Sequence, residues 1–233
     1  MKVPITRQTF LDKQSLSTDL AEYIKQQILD GRLYPGDRIV ETKVAKELGV
    51  SQTPVREAIR LLSGEGIITI VPNKGPMVRT FDMKDIYEVY SLRSMLEGLA
   101  IRLAVQLATD RQIEALVQHF EEMKKKLEDD AVDSLLQESS YIHQSIVRLS
   151  NQSRLSASYD SITFHIALAA RIVGRVSTKK KEVEQHAELI EALVSRNPDY
   201  AEKVMRQHIF RSFNEFRELP ETKDWSFDNI NWL

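Results

Sequence analysis

The sequence predicts a mainly α-helical protein in two parts, an N-terminal winged helix-turn-helix followed by a C-terminal antiparallel α-helical bundle. Residues 43–62 hold two short helical patterns on either side of Gly49. Residues 67–79 hold two short strand-like runs around a turn that contains Pro and Gly. From Asp82 to about Leu219, apolar residues recur at helical spacing without the alternation typical of strands.

The N-terminal part is predicted from its amphipathic helices and a hairpin. Leu16, Leu20, Ile24 and Ile28 recur every fourth residue in the first helix, and Gly31 ends it. In order, the expected elements are a helix over residues 15–30, a turn over 33–37, two helices about Gly49, a strand over 67–71, a tight turn over 72–75 and a second strand over 77–79. Three helices followed by a β-hairpin form a winged helix-turn-helix.

The second helix of the helix-turn-helix has two different sides. Its apolar side follows the i, i+3, i+4, i+7 spacing of a core-facing stripe and consists of Val55, Ala58, Ile59 and Leu62. Its polar side consists of Gln52, Thr53, Arg56 and Arg60, and Ser51 precedes it at the expected N-cap position. A helix with a buried stripe and a polar, Arg-bearing first turn has the shape that enters a DNA major groove.

The C-terminal part is predicted to be helical almost throughout. Helices are expected near residues 83–107, 110–128, 132–149, 154–173, 178–195 and 198–217. Successive helices of this length pack antiparallel around a common core, which is large enough to enclose a cavity. The predicted domains are therefore residues 1–81 and 82–219. The aromatic tail at 220–233 either docks on the bundle or a partner, or stays loose.

Composition excludes several classes of protein. The 233 residues include no cysteine, which rules out disulfides, cysteine-ligated zinc and thiol catalysis. No apolar run is long enough to span a membrane and the N-terminus lacks the apolar core of a signal peptide, so a cytoplasmic location is expected. Residues 1–81 carry 12 Lys and Arg against 9 Asp and Glu, whereas the remainder carries 20 against 25. A mildly basic first part suits a module that binds a polyanion.

Three histidines lie on predicted apolar helix faces of the second part. His143, His186 and His208 are each spaced with apolar residues, whereas His119 and His165 have no matching partners and are treated as structural. Neutral imidazoles that converge inside a bundle can hold Zn²⁺ or another divalent transition metal. The sequence therefore predicts a metal site at His143, His186 and His208.

Motifs in both parts match a known pattern. The first part contains Tyr34-Pro-Gly-Asp-Arg38, Leu48-Gly-Val-Ser-Gln-Thr-Pro-Val-Arg-Glu-Ala58, Glu65-Gly66 and Pro72-Asn-Lys-Gly75, which resemble the DNA-binding domain of GntR-family bacterial transcription regulators. The second contains Leu92-Arg-Ser-Met-Leu-Glu97, His143 with Asn151, Glu184-Gln-His186 and Met205-Arg-Gln-His208, which are similar to the ligand-sensing FCD domain of the FadR-like branch. The resemblance implies a homodimeric regulator that binds a palindromic double-stranded DNA operator and responds to a small carboxylate effector.

The resemblance assigns DNA contacts by position. The helix-turn-helix contributes Thr42, Ser51, Gln52, Thr53 and Arg56, and the wing contributes Asn73, Lys74 and Gly75. The family usually has Arg where this chain has Gln52. Because Arg suits guanine and Gln suits adenine, the operator is expected to differ at that base. The alternative for Arg56 is a solvated helix charge or an ion pair within the domain. Arg60 lies one turn deeper and is expected to meet a phosphate or an internal acid, and Lys74 is either a DNA contact or a solvated hairpin tip.

The resemblance also implies a metal site of three histidines with an acidic residue one turn before the first. That position is Ser139, a poor ligand, and Glu138 beside it points about 100° away on an ideal helix. Two alternatives stay open: the histidines hold a metal together with water or effector, or the site binds an anionic effector without metal. The number of histidine ligands favours the metal.

Arg93 and Glu97 are candidate effector contacts. They lie four residues apart on the helix expected near 83–107, so one interpretation is an ion pair within that helix. The resemblance places this helix along the effector cavity, where Arg93 would receive a carboxylate by a two-point contact.

Two other functions are alternatives to a regulator. A metal-dependent hydrolase would use the three histidines, with Glu188 as a base. The sequence contains no His-Glu-x-x-His, no Gly-x-Ser-x-Gly and no phosphate-binding glycine loop, so no enzyme is expected. A helical interaction protein would bind protein through its first part, but the Arg56 side and the wing argue against it.

Overall fold

The structure is a computed structural model that describes residues 7–125, 132–173, 178–216 and 219. The chain divides into two compact units, Met1–Phe81 and Asp82–Leu233. The predicted tail lies outside the described residues. None of the helices in the described ranges combines the length and apolar character that crossing a bilayer requires.

The first unit contains the predicted winged helix-turn-helix, which confirms the fold class of this part. Its elements are α1 (Arg7–Leu29), α2 (Glu41–Leu48), α3 (Gln52–Gly64), β1 (Ile68–Val71) and β2 (Gly75–Val78). β1 and β2 pair antiparallel, with Ile68 opposite Val78 and Val71 opposite Gly75. α1 begins at Arg7, earlier than the predicted start at residue 15, and β2 begins two residues before its predicted start.

The core of the first unit comes from the apolar stripes that the sequence contains. α1 packs on α3, and the fully or nearly buried side chains include Leu20, Ile24, Ile28, Val55, Ala58, Ile59 and Leu62. The turn between α2 and α3 depends on Gly49, whose φ of 67° lets its N–H reach the carbonyl of Ala45. Because an L-residue pays a steric cost at positive φ, glycine is favoured at this turn. The stripe of α3 fixes which of its sides faces solvent.

The second unit is the predicted helical bundle. Its described residues form α4 (Met83–Leu107), α5 (Asp110–Lys125), α6 (Val132–Leu149), α7 (Ser153–Asp160), α8 (Thr163–Val173), α9 (Lys179–Val194) and α10 (Pro198–Phe216). α4 starts with a reciprocal capping box, in which Asp82 accepts from the N–H of Asp85 and Asp85 accepts from the N–H of Asp82.

The single helix predicted over residues 154–173 is wrong, because α7 and α8 are separate. The hydroxyl of Ser161 donates to the carbonyl of Ser158, and the hydroxyl of Thr163 donates to that of Asp160. Side-chain hydroxyls that bond nearby carbonyls compete with helical hydrogen bonds. The helix therefore ends at Asp160 and a new one begins at Thr163.

α4 is the helix that positions the centre of the bundle. It packs along α10 more extensively than on any other described element, and it also contacts α6 and α9. The close approach depends on Gly98, where an added Cβ would lie 2.9 Å from Cγ of Arg206. Residues of α4, α6, α9 and α10 are thereby brought to one buried place.

Candidate functional site

The predicted DNA-contact residues of the helix-turn-helix lie on one exposed surface. Thr42 of α2 is exposed, and so are the four predicted contacts at the start of α3, which are Ser51, Gln52, Thr53 and Arg56. We call these five residues the recognition surface. Ser51 occupies the N-cap position of α3, but its side chain makes no capping hydrogen bond. The first-turn N–H groups of α3 are therefore not satisfied by the Ser51 hydroxyl.

Arg56 and Arg60 have different ion-pair partners. The guanidinium of Arg56 donates from Nε and Nη2 to Glu41 Oε2, at 3.1 and 3.0 Å, and so links α3 to the start of α2. Arg60 donates to Glu57 on its own helix, at 2.7 Å. Exposed pairs of this kind contribute little to stability. Either arginine can therefore exchange its carboxylate for another anion at small cost.

The wing presents Asn73 and Lys74 at its tip. Both are exposed, and Gly75 beside them is half-buried. Asn73 has a φ of 62° and Gly75 a φ of 85°, and the N–H of Lys74 donates to Val71 O at 3.1 Å. Asn and Gly are the residues that adopt positive φ most readily, so the tight turn follows from the local sequence.

Arg38 is a basic residue near the wing that belongs to a quoted sequence motif but was not assigned a DNA contact. An added Cβ on Gly75 would lie 3.6 Å from Nε and 3.7 Å from Nη2 of Arg38. The backbone of Arg38 also bridges to Met77 of β2. No spacing rule connects residue 38 with residue 75, so this contact required the folded unit. It adds an exposed guanidinium beside the wing.

The three predicted metal-ligating histidines meet in the core of the second unit. His143 comes from α6, His186 from α9 and His208 from α10, and their exposures are 3%, 2% and 2%. We call them the histidine cluster. Nε2 of His143 lies 3.2 Å from Nε2 of His186 and 3.2 Å from Nε2 of His208. Two zinc-bound nitrogens at a tetrahedral angle are separated by about 3.3 Å, so the spacing suits one metal ion.

Hydrogen bonds at Nδ1 of two of the rings explain why Nε2 of each of these rings can act as a ligand. Nδ1 of His143 lies 2.5 Å from Glu97 Oε2, and Nδ1 of His186 lies 2.7 Å from the carbonyl of Glu182. Both partners are acceptors, so each Nδ1 carries the proton and each Nε2 presents a lone pair. Two lone pairs facing each other repel unless a cation lies between them. The cluster therefore fits a divalent metal.

Glu97 belongs to the support of the cluster rather than to a cavity wall. Its carboxylate is fully buried, with Oε1 2.5 Å from Nε of Arg93 and Oε2 on His143. Burial would raise the pKa of Glu97, but Arg93 and His143 outweigh it and hold that pKa at about 2. Burial would likewise lower the pKa of Arg93, but Glu97 raises it overall. The ion pair expected within the helix is therefore present, and it extends to His143.

The histidines are neutral in the folded protein. Burial lowers the pKa of His143, although Glu97 opposes the shift. Burial, reinforced by His143, lowers the pKa of His186 to about 3. Burial also lowers the pKa of His208 well below its ordinary value, reinforced by His186. Metal ligation requires neutral imidazole, so these rings are already in the form that a metal binds.

A cavity of about 50 Å³ adjoins the cluster. Its wall includes all three histidines together with Arg93, Ser139, Ser140, Tyr159, Glu182, Gln185 and Ser212. One water needs roughly 10–15 Å³ of such space, so the cavity has room for a few small polar groups. Arg93 therefore lies in the described wall of this cavity, whereas Glu97 is absent from that wall.

At position 139, where the resemblance implies an acidic ligand, the structure brings in an acid from another helix. Glu138 lies 2.6 Å from Nε2 of His119 and is engaged there. Ser139 is buried, and its hydroxyl lies 3.4 Å from Oε2 of Glu182, a residue of α9 that the sequence patterns did not single out. The one available signal was that Glu182 precedes His186 by four residues, which places both on the same side of a helix.

Comparison with known proteins places both units in described families. Residues 16–78 match the family of bacterial regulatory proteins named gntR, and residues 88–211 match the FCD domain. The chain is 33% identical over 185 residues to the Nta operon transcriptional regulator of Aminobacter aminovorans, covering 79% of this chain and 87% of that protein. It is 24% identical over 217 residues to the HTH-type transcriptional repressor RspR of Escherichia coli strain K12, covering 91% and 94%.

A solved structure has the same fold. E. coli McbR/YncC superposes with a TM-score of 0.70 at 22% sequence identity, covering 86% of this chain and 98% of that one.

These matches exclude the hydrolase and the protein-binding alternative. The geometry also argues against the hydrolase, because Glu188, the candidate base, is exposed and pairs with Arg211. A general base must lie within hydrogen-bonding reach of the reacting group. By both family matches, the chain belongs to the GntR family of bacterial transcription regulators that carry an FCD domain, and it is a DNA-binding regulator and not an enzyme.

Proposed function

We propose that this regulator binds a palindromic operator as a homodimer and that a small carboxylate, bound at a metal in the histidine cluster, controls the binding. The recognition surface and the wing residues Asn73, Lys74 and Gly75 contact the operator. His143, His186 and His208 hold Zn²⁺ or a similar divalent metal. Arg93 contacts the effector.

The observation that carries the metal proposal is the convergence of three Nε2 atoms. In two of the three rings, a protonated Nδ1 donates a hydrogen bond away from the cluster, and two of the Nε2–Nε2 distances are 3.2 Å. Hydrogen bonds from the far side of a ligating histidine orient the ring and raise its basicity. Glu97 does this for His143, and the carbonyl of Glu182 does it for His186.

The charges around the cavity favour a metal over the alternative of an anion bound alone. Arg93 is neutralised by Glu97, the imidazoles are neutral, and Glu182 contributes an acid to the wall. An anionic effector entering this cavity alone would meet no uncompensated positive charge on the described wall. A bound divalent metal would supply that charge and a coordination position for a carboxylate oxygen.

Arg93 and the hydroxyl groups of the wall then orient the effector. Arg93 engages Glu97 through Nε and lies in the wall of the cavity. A planar guanidinium binds a carboxylate by two parallel hydrogen bonds. The small volume of the cavity favours an effector of a few non-hydrogen atoms, such as a short hydroxy- or oxo-acid.

On the operator, Arg56 and Gln52 supply the base contacts. Gln pairs with N6 and N7 of adenine, whereas Arg pairs with O6 and N7 of guanine. Selection of bound sequences from random duplex DNA should therefore yield adenine at the base that Gln52 faces. The variant Gln52→Arg should shift the selected base to guanine, and an unchanged selection would contradict the assignment.

The central test links the two sites. Operator affinity is measured by fluorescence anisotropy with metal-free protein, with Zn²⁺-loaded protein, and with loaded protein plus each of a panel of short carboxylates. An effector can shift an equilibrium only by binding the two states unequally, and the linkage is reciprocal. A carboxylate that changes operator affinity must therefore bind with a correspondingly changed affinity when operator is present. Equal affinities in both cases would rule it out as the effector.

A further inference from the structure

The segment that precedes α2 joins the wing as a short third strand. Two backbone hydrogen bonds, each 2.9 Å long, join residues 37–39 to β2 on either side of Arg38. They place Arg38 directly opposite Met77 in an antiparallel bridge. In a pair that is flanked by hydrogen bonds in this way, the two side chains approach closely. The backbone therefore fixes the position of Arg38 relative to the wing.

Arg38 lies on the solvent-facing side of the wing. On β1, Thr69 pairs with Met77 and is exposed. The adjacent pair, Ile68 and Val78, is buried. Successive residues of a strand alternate between the two faces of a sheet, so Arg38, Met77 and Thr69 share the exposed face. The Arg38 side chain is accordingly exposed.

The side chain of Arg38 runs along this face toward the turn of the wing. Gly75 lies two residues before Met77 on β2, so it is a diagonal neighbour of Arg38 and within reach of a long side chain. A Cβ added to Gly75 would lie within 4.0 Å of Nε, Nη2 and Cζ of Arg38. The guanidinium therefore lies over the backbone at Gly75, next in sequence to Lys74 at the tip.

Arg38 also differs from the arginines of α3 in its charge partners. Arg56 pairs with Glu41, and Arg60 pairs with Glu57. Within the described ranges, no acid forms an ion pair with Arg38. A cation that neutralises a DNA phosphate releases condensed counterions, which favours binding. Arg38 would gain this contribution without giving up an existing ion pair.

We propose that Arg38 is a DNA contact that the wing positions, and that its guanidinium binds a backbone phosphate at the edge of the groove that the wing tip enters. This inference rests on the proposed contact of the wing with the operator. The guanidinium lies over the backbone beside the tip, which suits the edge of a groove and its phosphates. A planar fork of N–H donors matches two phosphate oxygens. Gly75 contributes by leaving the space that the guanidinium occupies.

The test uses variants of the full-length protein and two duplexes, a selected operator and a scrambled sequence. Arg38→Ala removes the charge, and Arg38→Lys keeps it. Arg32→Ala is the matched control, because Arg32 is another exposed arginine of the segment between α1 and α2, and it lies 3.9 Å from Asp30. Lys74→Ala tests the wing tip separately. Anisotropy titrations at several salt concentrations measure affinity and salt slope, and thermal unfolding checks that each variant is folded.

Arg38→Ala should bind both duplexes about three- to tenfold more weakly at physiological salt, and its salt slope should be smaller by about one. Arg38→Lys should keep most of the salt slope, because it keeps the charge. Arg32→Ala should match the wild-type protein. The unfolding temperature of Arg38→Ala should also match, because the side chain is exposed and makes no ion pair with a described residue.

The outcomes separate this inference from the proposed role of the wing tip. If Arg38→Ala matches Arg32→Ala in affinity and slope, the role of Arg38 is overturned, whereas a loss in Lys74→Ala would still support the tip. If Arg38→Ala weakens binding to the operator alone, Arg38 reads bases and the phosphate assignment is overturned. If Arg38→Ala lowers the slope and Lys74→Ala changes nothing, Arg38 stands as a contact and the role of Lys74 is wrong.

Discussion

The recognition surface and the histidine cluster are built from polar side chains in opposite ways. The five residues of the recognition surface are all exposed, and Arg56 makes an ion pair with Glu41 that solvent reaches. The three histidines are at most 3% exposed, and the Nδ1 hydrogen bonds of His143 and His186 go to acceptors on neighbouring residues. A surface that must meet a large, hydrated polyanion keeps its side chains exchangeable. The proposed metal site is instead held in orientation by fixed hydrogen bonds before any ion binds.

The largest expected effect is that of Glu97→Gln on stability, because Arg93 would lose its buried partner. Removing one member of a buried ion pair costs about 3–5 kcal/mol. Chemical denaturation followed by circular dichroism measures the change. Glu88→Gln is the matched control, since it removes an exposed pair with Lys84 on the same helix and should leave stability nearly unchanged. Equal effects of the two variants would mean that the buried pair contributes no more than a surface pair.

The next largest effect is that of His208→Ala on metal binding. The variant leaves two of the three ring nitrogens, so Zn²⁺ affinity should fall by about 100-fold or more, measured by chelator competition. Operator affinity of the metal-free protein should not change, because His208 is buried in the other unit. His165→Ala serves as control, since His165 lies on α8 outside the cluster. Retention of wild-type Zn²⁺ affinity in His208→Ala would remove that residue from the site.

Discrimination between operator and scrambled DNA should fall strongly in Arg56→Ala and much less in Arg60→Ala. Loss of a good base contact weakens specific binding by about tenfold or more, whereas loss of a phosphate contact weakens all duplexes alike and lowers the salt slope by about one. Anisotropy titrations on selected and scrambled duplexes at several salt concentrations distinguish the two. If Arg60→Ala caused the greater loss of discrimination, the assignment of base contact to Arg56 would be reversed.

The smallest expected effect is the loss of stability on removing a helix N-cap, compared between Ser51 of α3 and Thr178 of α9. Ser51 makes no side-chain capping bond, whereas Thr178 Oγ1 accepts from the N–H of Lys181 at 3.3 Å. Loss of a working cap costs about 1 kcal/mol. Thr178→Ala should approach that value, whereas Ser51→Ala should cost less than about 0.5 kcal/mol in thermal stability and weaken operator binding. A full capping loss in Ser51→Ala would show that its hydroxyl serves the helix.

The two regions also differ in how far the sequence predicts them. The two-sided character of α3 follows from its apolar spacing, because residues three and four apart share a side of any helix. The same spacing indicated that His143, His186 and His208 face inward. It missed the break between α7 and α8, since Ser161 and Thr163 occur in helices as well as at their ends and local hydroxyl bonding decided between them.

By itself, the sequence determined the order and type of the elements apart from the break between α7 and α8, the two-sided recognition helix and the inward position of three histidines, because these depend on periodicity along a single segment. The tertiary structure alone decided that Glu97 supports His143, that Arg38 lies beside Gly75 and that Glu182 faces Ser139. Each of these contacts joins residues from different segments of the chain, and its geometry follows from how those segments pack, which spacing along the chain does not encode.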